Sequence, residues 1–181
     1  VSGEREKLKT ILKENSILRG RFKLSSGKES DYYIDARLTT LHPEGVYLVG
    51  KVFFDLIRQD PEIQAVGGPT MGADPIVGSI LSLSYQSGYP IRGFLVRKEE
   101  KRHGTEKLIE GNLRYGDKVA IVEDVATTGR SILRAIDAVE DWGARVKMVL
   151  VIVDRDEGAR KKLEDMGYGF ISIFRIGELL E

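Results

Sequence analysis

Two adjacent carboxylates, Glu123 and Asp124, stand between an apolar run and a hydroxyl-rich turn in the stretch Gly116 to Ser131. The run Val119 to Val122 is apolar and rich in β-branched residues, the pattern of a buried strand. Beyond the turn, Ile132, Leu133, Ile136 and Val139 keep the spacing of an amphipathic helix. A strand that passes through Val125, Ala126, Thr127, Thr128, Gly129, Arg130 and Ser131 into a helix presents several unpaired backbone N–H groups at one point. The helix dipole favours an anion there, phosphate above all. Carboxylates beside such a cradle call for a ligand with hydroxyls or a metal as well as phosphate. A ribose phosphate has that chemistry.

Three more loops carry unusual residues. The segment from Arg97 to Gly111 holds Arg97, Lys98, Lys101, Arg102, Lys107 and His103, and it is too long and polar to be a plain connector. Such a set suits a polyanion such as pyrophosphate, against the alternative of a solvated charge run interleaved with Glu99, Glu100 and Glu106. Gly68 to Asp74 is a small-residue turn into a helix, able to hold an anion or simply to turn. Asp154 to Gly158 follows the apolar run Val146 to Val153. His42, beside Pro43, reads as a turn residue, and Trp142, before Gly143, as a packing residue.

Elements that could position these loops can be read in order. Leu8, Ile11 and Leu12 mark a helix from Glu4 to Glu14, followed by two strands, Arg21 to Leu24 and Asp31 to Asp35, around Ser25 to Lys28. Pro43 opens a helix through Val46, Val49, Phe53, Leu56 and Ile57, and Asp60-Pro61 stops it. Strands are expected at Gln64 to Gly67, Ile91 to Val96, Lys118 to Val122, Val146 to Val153 and Phe170 to Phe174. Between them come helices at Gly72 to Tyr85, after Ser131, and at Glu157 to Met166. Helix and strand alternate and several strands are apolar throughout, which predicts an α/β fold: a mostly parallel sheet with helices on both faces. Ligands in such sheets gather at the carboxyl ends of the strands, where all four loops leave. One domain of 181 residues is expected, with an N-terminal hood over roughly residues 1–40 and a mobile loop over roughly 97–111.

Composition narrows the classes. Lys+Arg and Asp+Glu are both 28, so there is no global basic field for nucleic acid. There is no cysteine, hence neither disulfide nor thiolate metal site. The longest strongly apolar run, Met148 to Val153, is far too short to span a bilayer, and no signal-peptide pattern opens the chain. The expectation is a soluble, cytoplasmic protein with no membrane partner. Walker, G-x-G-x-x-G, nucleophile-elbow and H-E-x-x-H patterns are all absent.

The stretch Val119 to Ser131 resembles the 5-phosphoribosyl 1-pyrophosphate (PRPP) motif of type I phosphoribosyltransferases. Phe22 to Arg37 is similar to the N-terminal signature of the orotate phosphoribosyltransferase family, Arg97 to Gly104 to its catalytic loop, and Asp154 to Gly158 to its base-side segment. The resemblance spans the chain in order. It implies a hooded type I fold, a homodimer, and transfer of ribose 5-phosphate from PRPP to orotate with Mg²⁺, itself held mainly by PRPP rather than by a protein metal site. It further implies that Glu123 and Asp124 hold ribose hydroxyls and that Val125 to Ser131 wrap the 5′-phosphate. Arg97, Lys98, Lys101 and His103 would bind pyrophosphate, the last two in the partner subunit's site, and Lys101, His103 and Asp124 would be the catalytic groups. Thr127 and Arg155 would contact orotate, with Ser25 and Lys23 on the same side. The chain departs from many family members, which carry Lys where it has Ser25 and Gly72; Lys23 or Lys28 could stand in. A purine or uracil phosphoribosyltransferase, or a PRPP-sensing regulator of this fold, are the alternatives; neither the N-terminal signature nor the neutral charge favours them.

Overall fold

The structure, a computed structural model, describes residues 2–23, 29–99 and 108–181. The chain begins with α1 (Ser2–Asn15), β1 (Ile17–Lys23), β2 (Glu29–Ile34), α2 (Arg37–Thr40) and α3 (Pro43–Ile57). There follow β3 (Ala65–Pro69), α4 (Ala73–Gln86), β4 (Arg92–Val96) and β5 (Ile109–Gly111). The last part holds β6 (Lys118–Ala126), α5 (Arg130–Asp141), β7 (Arg145–Asp154), α6 (Ala159–Asp165), β8 (Gly169–Arg175) and α7 (Ile176–Leu180).

A 6-stranded sheet runs in the order β5-β4-β3-β6-β7-β8, parallel throughout except for β5. Alternation along β6 explains why both faces are covered. Val119 and Ile121 point to one side and pack in a core with Ile132, Ile136 and Val139 of α5. Ala120 and Val122 point to the other, where α3 and α4 supply Phe53, Ile76 and Ile80. A strand buried on both faces has no polar side to show, hence the continuous apolar runs. From β3 the chain crosses through α4 to β4, while β6, β7 and β8 build outward in the opposite direction. The strand order therefore reverses between β3 and β6, the place where open α/β sheets leave a crevice.

That crevice depends on β3 and β6 lying very close. A Cβ on Gly68 would stand 2.0 Å from the Val122 carbonyl oxygen, so only glycine fits. On the N-terminal side, Leu8 and Leu12 of α1 are fully buried in the α3–α4 core, and Arg5 lies 4.5 Å over the Phe174 ring. The first helix is thus part of the body. What overhangs the sheet edge is the separate antiparallel pair β1–β2.

Several boundaries differ from expectation for identifiable reasons. β6 does not end at Val122; its ladder with β7 continues to Ala126 opposite Asp154, because backbone pairing there is indifferent to the polarity of Glu123 and Asp124. The segment 97–111 is not wholly irregular: its last residues form β5, which pairs antiparallel with β4. The helix expected from Glu157 starts at Ala159, since Asp156 and Gly158 both take positive φ (56° and 101°). The short helices α2 and α7 were not foreseen; neither is long enough to carry a periodic signal.

Candidate functional site

Between the carboxyl ends of β3 and β6 lies a cleft of about 360 Å³. Its floor is Glu123, Asp124, Val125, Thr127 and Ser131; its sides are Pro69 to Gly72 from the β3–α4 turn and Arg155 from β7. The overhanging end of β2 and the residues after it, Tyr33 to Arg37, close it from above. Every one of these segments is the end of a strand or the turn that leaves it.

Glu123 is buried, 6% exposed, and Asp124 partly so. Burial raises the pKa of both carboxyls; for Glu123 the neighbouring Asp124 charge adds to the rise. Asp124 is partly relieved, first by the Val125 N–H, which donates to Oδ1 at 2.7 Å, and also by the positive charge of Arg37. The pair is therefore held in a place where its charge is under-compensated by protein, which favours a ligand bringing hydroxyl donors or a cation. A Cβ on Gly72 would lie 2.5 Å from Glu123 Oε1 and 2.7 Å from Asp124 Oδ1, so the glycine lets the β3–α4 turn close down on the pair. The Thr70–Met71 peptide in this turn is cis.

The cradle after β6 reaches its helix through Gly129, whose φ of 77° needs glycine. Its Cα faces Ala159, 3.3 Å from where a Cβ would sit, so the turn is packed against α6. α5 has no side-chain cap at Gly129, which leaves its first N–H groups to a ligand or solvent. The loop after β7 is tied to the same place: the Arg155 and Ala159 N–H groups donate to the Ala126 and Thr127 carbonyls at 2.9 and 3.2 Å.

Arg155 is the buried cation of the cleft, its side chain 8% exposed. Its guanidinium lies 5.2 Å over the Tyr32 ring, Nη2 reaches the Tyr32 hydroxyl at 3.4 Å, and Nε stands 3.0 Å from Glu157 Oε1. That Nε contact is an ion pair without hydrogen-bond alignment.

Of the residues expected from sequence, the structure brings Glu123, Asp124, Val125, Thr127, Ser131, Lys98 and Arg155 to one cleft. Ala126, Thr128, Gly129 and Arg130 shape the cradle behind it without lining it. Arg97 lines an adjoining cavity with Lys98, Thr70, Met71 and Asp74. Lys23 is exposed at the end of β1 and does not line the cleft. Ser25, Lys101 and His103 lie outside the described residues. Thr70 and Met71 belong to the Gly68 to Asp74 turn read from sequence as a possible anion site, and they line the cleft; missed were Asp35, Arg37 and Arg134. Arg134 had a signal, since it stands one helical turn beyond Arg130 and Ser131. Asp35 and Arg37 are paired across a single residue, which by itself says nothing of a cleft.

A strand-order reversal with an acidic pair on one strand end, a small-residue cradle after it and cations around it defines a site for a phosphorylated sugar. Residues 40–175 match the phosphoribosyl transferase domain. The chain belongs to the phosphoribosyltransferase family. It is 45% identical over 181 residues to the orotate phosphoribosyltransferase of Aquifex aeolicus, covering 98% of each chain. Its fold superposes with a TM-score of 0.83 on the Mycobacterium tuberculosis orotate phosphoribosyltransferase in complex with PRPP, at 36% identity over 98% of this chain and 99% of that one. The Aeropyrum pernix orotate phosphoribosyltransferase superposes at 0.79, with 34% identity over 96% of both chains. Within the family, this chain stands with the orotate phosphoribosyltransferases.

Proposed function

We infer that the chain transfers the ribose 5-phosphate of PRPP to orotate, giving orotidine 5′-monophosphate and pyrophosphate in pyrimidine nucleotide synthesis. The observation that carries this reading is the convergence of acidic pair, phosphate cradle and buried Arg155 on one cleft at the switch point. In the reaction the bond from the anomeric carbon to orotate N1 forms, the bond to the pyrophosphate oxygen breaks, and the N1 proton is lost. The transition state carries positive charge on the sugar and negative charge on the leaving group, so positioning and electrostatics do most of the work.

Glu123 and Asp124 fix the ribose hydroxyls, and the developing charge on the ring favours their ionised forms. The backbone of Val125 to Ser131, with the α5 N-terminus, holds the 5′-phosphate. Thr127 and Arg155 take orotate, an anionic base for which the Arg155 guanidinium is a suitable partner. Ser25 and Lys23 are secondary to them. Arg97, Lys98, Lys101 and His103 bind pyrophosphate, and Lys101 and His103 act on it as it leaves. Mg²⁺ neutralises the diphosphate when bound. Such an ion would be carried mainly by the substrate's phosphates, with Glu123 and Asp124 the carboxylates of the cleft nearest to hand.

A homodimer sharing the 97–111 loop across subunits belongs to the same proposal; exposed Leu38 on α2, Leu41 just after it and Tyr47 on α3 offer apolar surface for it. So does a cytoplasmic location, in keeping with a cysteine-free chain. No described helix is long and apolar enough to cross a membrane. The test offers PRPP and Mg²⁺ with orotate, uracil, hypoxanthine and adenine in turn. Nucleotide from orotate alone is expected. Product from a different base, or from none, would overturn the reading.

A further inference from the structure

We propose that Arg37 is a pyrophosphate-binding residue of the cleft, presented there by Asp35. The inference rests on the reading of the cleft as a PRPP site and adds a cation to it.

The geometry is that of a fixed guanidinium. Arg37 opens α2 directly after the overhanging strand, and its Nε and Nη2 grip Asp35 Oδ1 and Oδ2 at 2.8 and 3.0 Å. The Arg37 backbone N–H also donates to Asp35 Oδ1, at 3.2 Å, so Asp35 holds both ends of the residue. The fork occupies one edge of the guanidinium and leaves Nη1 outside it. Both residues line the cleft. Arg37 stays 45% exposed, which leaves it open to a ligand.

Charge decides which ligand. The other cations of the cleft come from other elements: Arg155 packs against Tyr32, Arg134 stands on α5, and Lys98 follows β4 and borders the Thr70–Met71 turn. Arg37 is the cation that Asp124 feels, and the two favour each other's charged forms. If Asp124 holds a ribose hydroxyl, a cation beside it stands near the anomeric carbon, where the diphosphate is attached and from which it departs. The turn Thr70 to Gly72 borders the same spot and ends in a glycine, with no side chain to offer. A guanidinium already held by a carboxylate adds positive charge to that of Lys98 and Arg97 while losing little rotamer freedom on binding.

The competing account makes the Asp35–Arg37 pair a local brace for the turn after β2. The two accounts separate on binding. Calorimetry with inorganic pyrophosphate and Mg²⁺, and steady-state kinetics in both substrates, are run on Arg37→Met, Arg37→Lys and Asp35→Asn. In Arg37→Met the pyrophosphate Kd and the PRPP KM should each rise about tenfold, the loss of one charge-assisted contact, with the orotate KM within about twofold. Arg37→Lys should recover part of the affinity. Asp35→Asn should weaken pyrophosphate binding less than Arg37→Met while leaving the melting temperature close to wild type. An unchanged pyrophosphate Kd in folded Arg37→Met, or a rise in orotate KM equal to that in PRPP KM, overturns the proposal. Should Arg37→Met fail to fold, Arg37→Lys with wild-type pyrophosphate affinity and a lowered melting temperature would assign the residue to the brace. Failure of the underlying reading looks different: wild type would then make no nucleotide from orotate, whatever Arg37 does.

Discussion

Replacing Arg160 by alanine should destabilise the protein by about 3 kcal/mol and weaken orotate binding more than PRPP binding. The Asp154 carboxylate, at the end of β7, is fully buried. Its Oδ2 lies 3.0 Å from Arg160 Nε and its Oδ1 accepts the Asp156 N–H at 2.9 Å. Arg160 also donates to Ser172 Oγ at 2.8 Å and lies 4.8 Å over the Phe170 ring. Removing one partner of a buried pair typically costs about 3–5 kcal/mol. Arg160 is 28% exposed, so part of its charge is already solvated, and the figure belongs at the lower end of that range. For a chain of this length about 3 kcal/mol lowers Tm by roughly 6–12 °C. Asp154→Asn keeps the acceptor for the Asp156 N–H and should cost only about 1–2 kcal/mol. The double variant Asp154→Ala/Arg160→Ala should be less destabilised than the sum of its singles by about 2 kcal/mol. Urea unfolding measures all of these. Arg155 sits between Asp154 and Asp156, so loosening that turn reaches the guanidinium proposed to take orotate, and the orotate KM should rise. A cost below about 1 kcal/mol for Arg160→Ala, or strict additivity in the cycle, would refute the view that this pair sets the turn.

The acidic pair gives a prediction of opposite sign for stability and activity. A carboxyl whose folded pKa is raised, as burial and Asp124 raise that of Glu123, carries more protons folded than unfolded between its ordinary and raised values. Stability from that group therefore falls as pH rises through this window, and Glu123→Gln should flatten the pH dependence of the ligand-free melting temperature while raising the PRPP KM. Identical pH slopes for variant and wild type would count against it. Asp124→Asn should lower kcat/KM by about 10²-fold or more with the melting temperature held, because it loses a charge aimed at the transition state. Gly68→Ala should cost about 3 kcal/mol in urea unfolding, since its Cβ would meet the Val122 carbonyl oxygen at 2.0 Å and the Ala73 Cβ at 2.8 Å. A wild-type midpoint would show that β3 and β6 can move apart.

What was legible in the chain was whatever local backbone chemistry dictates. The apolar run of β6, the glycine that lets the chain turn at position 129, and the helix pattern after it are all written within a dozen neighbouring residues, so the cradle could be placed from sequence. The same holds for α3, opened by Pro43 and capped by the His42 side chain, which accepts the Gly45 N–H. Strand ends were less legible, because a ladder such as Ala126 opposite Asp154 is stabilised by a strand brought in from elsewhere.

The side chains that close the cleft were hidden for a stronger form of the same reason. Whether a cation of the N-terminal region reaches the site depends on where β2 ends over the sheet. That position is set by long-range contacts such as Arg155 against Tyr32 and the buried Ser16–Thr39 hydroxyl pair at 2.7 Å. The family resemblance pointed to Lys23 and Lys28 as basic stand-ins, yet Lys23 lies exposed on β1, whereas Arg37, two residues past the fork-forming Asp35, lines the cleft. Gly72 reverses in meaning on the same grounds. As sequence it is a missing lysine; in the fold it is the clearance that lets the β3–α4 turn approach the Glu123 and Asp124 carboxylates as they stand. A side chain at that position would require the ends of the two carboxylates to shift, whereas Arg37, at the start of α2, offers positive charge to the cleft without disturbing them.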